Sequence, residues 1–295
     1  MTAMRPLVWR WNGHRILGML HEPLLPAGDS GMPAALLLPG GTQTRMGAGR
    51  ALVALARLMA ARGMPTLACD WAGQGDSEGE PVPFTDRLSQ IAAARQALAE
   101  ATGTTRQLVI GICDGASAAL LAAGEERAPE GEGAPGRLAA LVLVNCWMRD
   151  DDLAPPRGWL TGALARRLAG KRLRGKAAPA AGHLSWRALW RGLRAVRAAR
   201  KAGEGRLEGR LRAAAAACPA PILWVLARHD PTGRDALTRL RHPRWRRLMR
   251  KQNHRRLLLP GDDHGLLDPR SRIALAAAIE EVIGAVPAPA IIRPA

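Results

Sequence analysis

The stretch RQLVIGICDGASAALL, residues 106–121, decides how the rest of the chain is to be read. Up to Ile112 it is an unbroken apolar run behind Arg106 and Gln107. Cys113, Asp114 and Gly115 then interrupt, and a segment rich in Ala and Ser follows at once. Continuous rather than alternating hydrophobicity is the pattern of a strand buried on both faces. The small residues that follow predict a helix starting at Asp114. G-x-C-x-G across Gly111–Gly115 fits a nucleophile elbow with cysteine in serine's place. Glycine on either side removes Cβ atoms that would collide in so sharp a turn. A helix beginning at Asp114 would aim free N–H groups and its positive dipole end at the sulfur, favouring thiolate. An isolated G-x-C-x-G carries little weight, because cysteine is often just a small buried side chain. The strand before it and the helix after it carry the reading.

Working outward, the same rhythm recurs. Leu7 to Trp11 and Arg15 to His21 flank Asn12-Gly13, a strong hairpin signal. Short apolar runs follow at 34–38, 65–70, 107–112 and 138–145, separated by helical patterns at 47–62, 85–101 and from 114. After an interruption the pattern resumes with strands at 221–227 and 255–260 and helices at 234–250 and 270–284. Strand–helix repetition predicts parallel pairing with helices on both faces. The expected fold is an α/β, doubly wound, mostly parallel sheet of about eight strands, opened by an antiparallel hairpin.

In such sheets the chemistry collects beyond the carboxyl ends of the strands. Asp230 follows the 221–227 run and His264 follows the 255–260 run, so nucleophile, acid and histidine come in the order the elbow motif requires. His264 would take the thiol proton, and Asp230 would hold the imidazole in the needed tautomer. The competitors are weaker. Asp262 and Asp263 adjoin His264 too closely to orient its ring, and Asp235 reads as a capping or surface residue. His229 is expected to face the layer flanking the sheet, and Ser117 lies a turn too deep in its helix to be the nucleophile. The backbone N–H of Asp114 and that of Gly41 or Thr42, in the glycine-rich turn after 34–38, are expected to form the oxyanion hole. DWAGQGDSEG (70–79) reads as a structural turn, without the G-x-G-x-x-G spacing that would suggest a dinucleotide. No metal-binding pattern and no cofactor signature is expected.

Composition bounds the partners. The 295 residues include one Phe, no Tyr and nine Trp, so the core must rest on Leu, Ala, Val and Trp. Cys69, Cys113, Cys146 and Cys218 form neither a C-x-x-C pair nor a Cys/His cluster, which fits a reducing cytoplasm. The N-terminus lacks the apolar run of a signal peptide, and the uncharged stretch 213–227 holds Pro219 and Pro221, so no membrane span is expected. The net charge of +18 is concentrated: residues 150–212 carry 16 Lys/Arg against 5 Asp/Glu, and residues 234–256 carry 10 against 1. That imbalance speaks for anionic partners rather than for a particular fold. In SWRALWRGLRAVRAARK (185–201), Trp186, Leu189, Trp190, Leu193 and Val196 share one helical face, with arginines mostly opposite. A cap helix packed on the core is the favoured reading, with docking on an anionic membrane surface as the alternative. No nucleic-acid-binding module is visible, so nucleic acid is disfavoured. The oligomeric state leaves no mark on the sequence.

Taken together, GGTQTRMGAGR (40–50), CDWAGQGDSEG (69–79), GICDGASAALL (111–121), LVLVNCWMR (141–149), ARHDPTGRDAL (227–237) and GDDHG (261–265) resemble the α/β-hydrolase superfamily. More closely, they resemble the exosortase A system-associated hydrolase 1 family of polysaccharide-producing bacteria. One departure is Ala72, where relatives often carry arginine. The resemblance implies an α/β-hydrolase core at 1–149 and 216–295, with a basic helical cap at 150–215. It also implies Cys113 as nucleophile, Asp230 as acid and His264 as base. The expected activity is hydrolysis of an ester or thioester, with small acyl compounds, anionic ones included, as the substrate class. The alternative is acyl transfer, or a non-catalytic protein that binds an anionic polysaccharide, lipid or membrane through its basic cap.

Overall fold

The computed structural model describes residues 2–24, 31–125, 137–150, 206–251, 253–260 and 263–284. Eight strands form one sheet: β1 (Ala3–Trp11), β2 (His14–Glu22), β3 (Ala34–Leu38), β4 (Thr66–Cys69), β5 (Arg106–Ile112), β6 (Arg137–Val144), β7 (Ile222–Ala227) and β8 (His254–Leu259). Their spatial order is β1-β2-β4-β3-β5-β6-β7-β8. β1 and β2 pair antiparallel about Asn12 and Gly13, both at positive φ as a tight two-residue hairpin turn requires. β2 also runs antiparallel to β4, and every later pairing is parallel. The fold is the doubly wound, mostly parallel sheet expected from the hydropathy pattern.

The helices among the described residues are α1 (Ala51–Ala61), α2 (Leu88–Thr102), α3 (Asp114–Glu125), α4 (Arg206–Ala217), α5 (Pro231–Leu240), α6 (Pro243–Met249) and α7 (Pro269–Gly284). Leu52, Leu55 and Met59 of α1 and Leu275, Ile279 and Val282 of α7 pack on Leu37, Ile110, Val142 and Val225 of the sheet. Strand side chains alternate between faces, so Leu36, Val109, Leu141 and Leu143 turn the other way, where α2 and α3 lie against β3, β5 and β6. With both faces covered, β3, β4 and β7 are buried at every position. The strand order reverses between β3 and β5, where Leu38 stands beside Gly111 in the ladder. The crevice beyond such a reversal is where ligands bind in open α/β sheets.

Two expectations need correction or closure. The helix expected over 234–250 is two helices, α5 and α6, parted at Arg241-His242. Pro243 is the cause: its ring drives the preceding residue out of helical backbone, and His242 is extended at φ −63° and ψ 144°. The same proline then serves as the first residue of α6, where its missing N–H costs nothing. The chain divides into two compact units, Met1–Met148 with Leu211–Ala295, and Arg149–Arg210. The tryptophan-bearing segment 185–201 of the expected cap lies outside the described residues.

α6 is short and basic, and Trp245 and Leu248 are its buried side chains. Arg246 and Arg247 are exposed while Trp245 is fully buried, its ring edge-on to that of Trp224 in β7 at 5.6 Å between centroids. Trp224 Nε1 donates to His254 Nδ1 at 3.2 Å, and burial lowers the His254 pKa to about 4, so this imidazole stays a neutral acceptor. Trp245→Ala should cost about 3–5 kcal/mol of stability in urea unfolding. A loss below about 1 kcal/mol would mean that α6 is held by something else.

Candidate active site

Cys113 is the single residue between the end of β5 and the start of α3, and its φ is +55°. Left-handed backbone costs a non-glycine residue about 1–2 kcal/mol, so the surroundings must enforce it. They do so through the backbone. The Cys113 N–H donates to Val144 O at 2.9 Å, and its carbonyl accepts from the N–H groups of Ala116, Ser117 and Trp147 at 3.1, 3.3 and 3.1 Å. Close approach does the rest: a Cβ on Gly111 would stand 2.5 Å from Ala116 Cα, and one on Gly115 2.5 Å from Pro39 O. Of the four cysteines, Cys113 alone is not buried. Burial pushes the Cys69 and Cys146 thiols up to about 12, which makes them inert. Ser117 is fully buried, with its hydroxyl turned to the carbonyls of Trp147 and Cys113.

Asp230 follows β7 and caps α5. Its Oδ2 accepts from Gly233 N at 2.6 Å, and its Oδ1 meets His264 Nδ1 at 2.9 Å. The Asp-Pro pair explains the local structure, since Asp230 is the N-cap and Pro231 the first helical residue. Because α5 begins there, Asp235 falls beyond the cap. It is buried and paired with Arg239 at 2.8 Å, rather than the capping or surface residue expected. His229 is exposed instead of facing the sheet-flanking layer, because β7 has already ended at Ala227. Asp263 spends its carboxylate on the N–H groups of Leu267 and Asp268, at 2.6 and 3.1 Å. Asp262 lies outside the described residues.

With Nδ1 committed to Asp230, the ring's other nitrogen is left for sulfur. Hydrogen bonds to Asp230 first and to Cys113 second outweigh burial and push the His264 pKa up to about 10. Asp230 and His264 thus meet at the carboxyl ends of β7 and β8, and Cys113 stands at the carboxyl end of β5. Asn145, which the sequence reading passed over, ties two of these ends together. Fully buried at the close of β6, it donates through Nδ2 to His264 O at 3.0 Å and accepts Ala227 N at 2.9 Å. The available signal was a polar residue terminating the otherwise apolar LAALVLV run.

The turn after β3 is braced from β4. Asp70, almost wholly buried, accepts Arg45 N at 2.6 Å and pairs with the Arg45 guanidinium, which also reaches Asp76 at 2.5 Å. Within this turn a Cβ on Gly40 would stand 2.8 Å from Cys113 Cβ, so the loop lies directly against the elbow. The Gly41 N–H, expected as an oxyanion donor, is occupied: it donates to Asp114 Oδ1 at 2.5 Å. The same oxygen accepts Gly115 N at 3.1 Å. Thr42 is exposed in the same turn. The backbone N–H of Asp114, first in α3, has no acceptor within its own helix.

The raised His264 pKa has a consequence for stability. The ring holds its proton more tightly folded than unfolded, so this stabilisation is complete below pH about 6.5 and is lost as pH rises through about 10. His264→Ala should therefore destabilise the protein more at pH 6 than at pH 10 in urea unfolding. A pH-independent difference would show that the ring does not hold its proton in this way.

The comparisons with known proteins bear on the fold and the family. No curated protein matches the chain in sequence. Among solved structures, the Pyrococcus furiosus esterase Pf2001 is similar at a TM-score of 0.57 and 14% identity, covering 96% of this chain and 94% of that one. Est1E from Butyrivibrio proteoclasticus, solved with ferulic acid bound, gives 0.59 and 16%, covering 94% and 99%. The thioesterase domain from the curacin biosynthetic pathway gives 0.56 and 18%, again covering 94% and 99%. At such identities these likenesses speak for the fold alone. The family model described as the alpha/beta hydrolase family matches residues 35–278, from the start of β3 into α7, and so spans the elbow, Asp230 and His264. The chain belongs to the alpha/beta hydrolase family.

Proposed function

We propose that the protein is a hydrolase that cleaves an ester or thioester through Cys113, His264 and Asp230. One observation carries the reading: the only cysteine that is not buried stands on a left-handed elbow at a helix N-terminus, beside an imidazole whose Nδ1 is held by a carboxylate. An imidazole with its pKa pushed up to about 10 rests as imidazolium, paired on one side with Asp230 and on the other with sulfur. In this mechanism the thiolate attacks the acyl carbon and the carbonyl electron pair moves onto oxygen. The tetrahedral species expels the alkoxide or thiolate, which takes the proton of His264. The neutral ring then removes a proton from water, which attacks the acyl-thioester and frees the acid and Cys113. Asp230 stays ionised throughout and stabilises the imidazolium. The backbone N–H of Asp114, with that of Gly41 or Thr42, would bind the oxyanion.

The esterases and the thioesterase among the structural neighbours are consistent with acyl chemistry. Within the family, the motif resemblance to the exosortase A system-associated hydrolases is our basis for a finer assignment. The substrate reading extends to anionic acyl compounds. Arg241, Arg246, Arg247, Arg250, Lys251, Arg255 and Arg256 are all exposed on or beside α6 and β8 and would draw in negative charge. The same cations favour a second reading, in which the protein binds an anionic polysaccharide, lipid or membrane surface without turnover. No helix among the described residues is long and apolar enough to cross a membrane.

Intact-mass detection of acyl-enzyme across a panel of esters and thioesters tests the proposal. Cys113→Ala should abolish the acyl adduct and lower turnover by roughly a thousandfold or more, while Cys113→Ser keeps a small residue of activity. Undiminished turnover in Cys113→Ala would falsify covalent catalysis at this site and leave the binding reading.

A further inference from the structure

Two features of the elbow are left over by the mechanism above. The first is the anion already seated on the Gly41 N–H. Asp114 Oδ1 holds that donor at 2.5 Å and the Gly115 N–H at 3.1 Å, and the turn bearing Gly41 lies against Cys113. An oxygen bound there stands where the oxyanion of a tetrahedral intermediate would bind. A carboxylate is a stronger acceptor than a substrate carbonyl, and it would repel the negative charge that develops as the thiolate adds. For the Gly41 N–H to serve as the oxyanion donor, Asp114 must release it.

The second feature is a buried cation with an open donor. Arg87 is only 5% exposed. Its Nε donates to Val82 O at 3.1 Å, and its guanidinium stacks 4.6 Å above the Trp71 ring, yet its Nη1 is buried with no hydrogen-bond partner. An unsatisfied buried guanidinium is costly unless something answers it. Burial lowers the Arg87 pKa, and the opposing pull comes from the charge of Asp114. The platform beneath Arg87 belongs to the same neighbourhood: Trp71 Nε1 donates to Pro39 O at 2.9 Å, and Pro39 O lies against Gly115.

We propose that Asp114 is a latch on the oxyanion donor and that Arg87 is the positioning residue that receives its carboxylate when an acyl substrate enters. The inference rests on the proposed acyl chemistry at Cys113. In the resting state the carboxylate holds the Gly41 N–H. With substrate bound it turns toward Arg87 Nη1, and the freed N–H donates to the carbonyl oxygen. The carboxylate then sits on a cation rather than beside the oxyanion, and Arg87 gains its missing acceptor. No covalent bond changes in this step.

The experiment is single-turnover acylation of the full chain by p-nitrophenyl acetate, followed by nitrophenolate release and by intact mass at Cys113. Asp114→Asn and Asp114→Ala weaken or remove the latch and should acylate about tenfold faster than the unsubstituted protein. Arg87→Met should acylate about tenfold slower with little change in half-saturating substrate, and Arg87→Lys should fall between. The decisive measurement is the double variant: in an Asp114→Ala background, Arg87→Met should lose its effect. A rate in Asp114→Asn equal to or below that of the parent overturns the latch. An Arg87→Met effect of equal size with and without Asp114 overturns the positioning role and leaves Arg87 a structural residue. No adduct at Cys113 in the parent protein overturns the acyl chemistry, and the latch with it.

Discussion

The left-handed backbone at Cys113 is the constraint on which the rest of the structure depends. A side chain at φ +55° is tolerated there because a buried strand, a helix beginning one residue later and two glycines leave the chain no other path. The turn is stitched on both sides, since the Cys113 carbonyl accepts three N–H groups and its own N–H reaches across to β6. Gly111 lets α3 come down on β5, and Gly115 lets it meet the turn after β3. The approach that strains the backbone thus also sets the turn after β3 against Cys113. Relaxing the elbow would move Cys113 and that turn apart together.

Around this elbow the charges are arranged by sharing. Asp230 divides its two oxygens between the helix it caps and the imidazole it orients, so the first bond fixes the direction of the second. Asn145 joins the ends of β6 and β7 to the backbone of His264, so acid and ring are held in one frame. Arg45 is the counterpart on the other side, fastening the turn after β3 to the buried Asp70. Asp114 brings a negative charge to the N-terminus of α3. Set against the open donor of Arg87, this charge has two places to rest.

Away from the site, positive charge gathers at the β8 edge of the sheet. Arg255 and Arg256 are exposed on this edge strand, where charge discourages pairing with another chain. α6 extends the same field, anchored by Trp245 against Trp224. One basic surface can therefore both keep the edge unpaired and attract anions.

Much of the fold was legible in the sequence because it rests on local signals. The unbroken apolar runs of β3, β5, β6 and β7 mark strands buried on both faces, and Asn12-Gly13 marks the hairpin. Glycines flanking Cys113 announce the sharp turn, and Asp230 and His264 could be picked out as polar residues at strand ends. Even the break at Pro243, which a single expected helix missed, was written in the chain. Other features were decided only by tertiary structure. The contact of Gly41 with Asp114 spans 73 residues and that of Asn145 with His264 spans 119. The seat of Arg87 on Trp71 likewise depends on how α2 lies beside the turn after β4. Hydropathy and turn chemistry report what each segment becomes. The meeting of donors and acceptors depends on the order in which the sheet sets its strands side by side, and β3 lies beside β5 only because the chain crosses over between them. That crossing has no local signature, so the partners of Asp114 had to come from the folded chain.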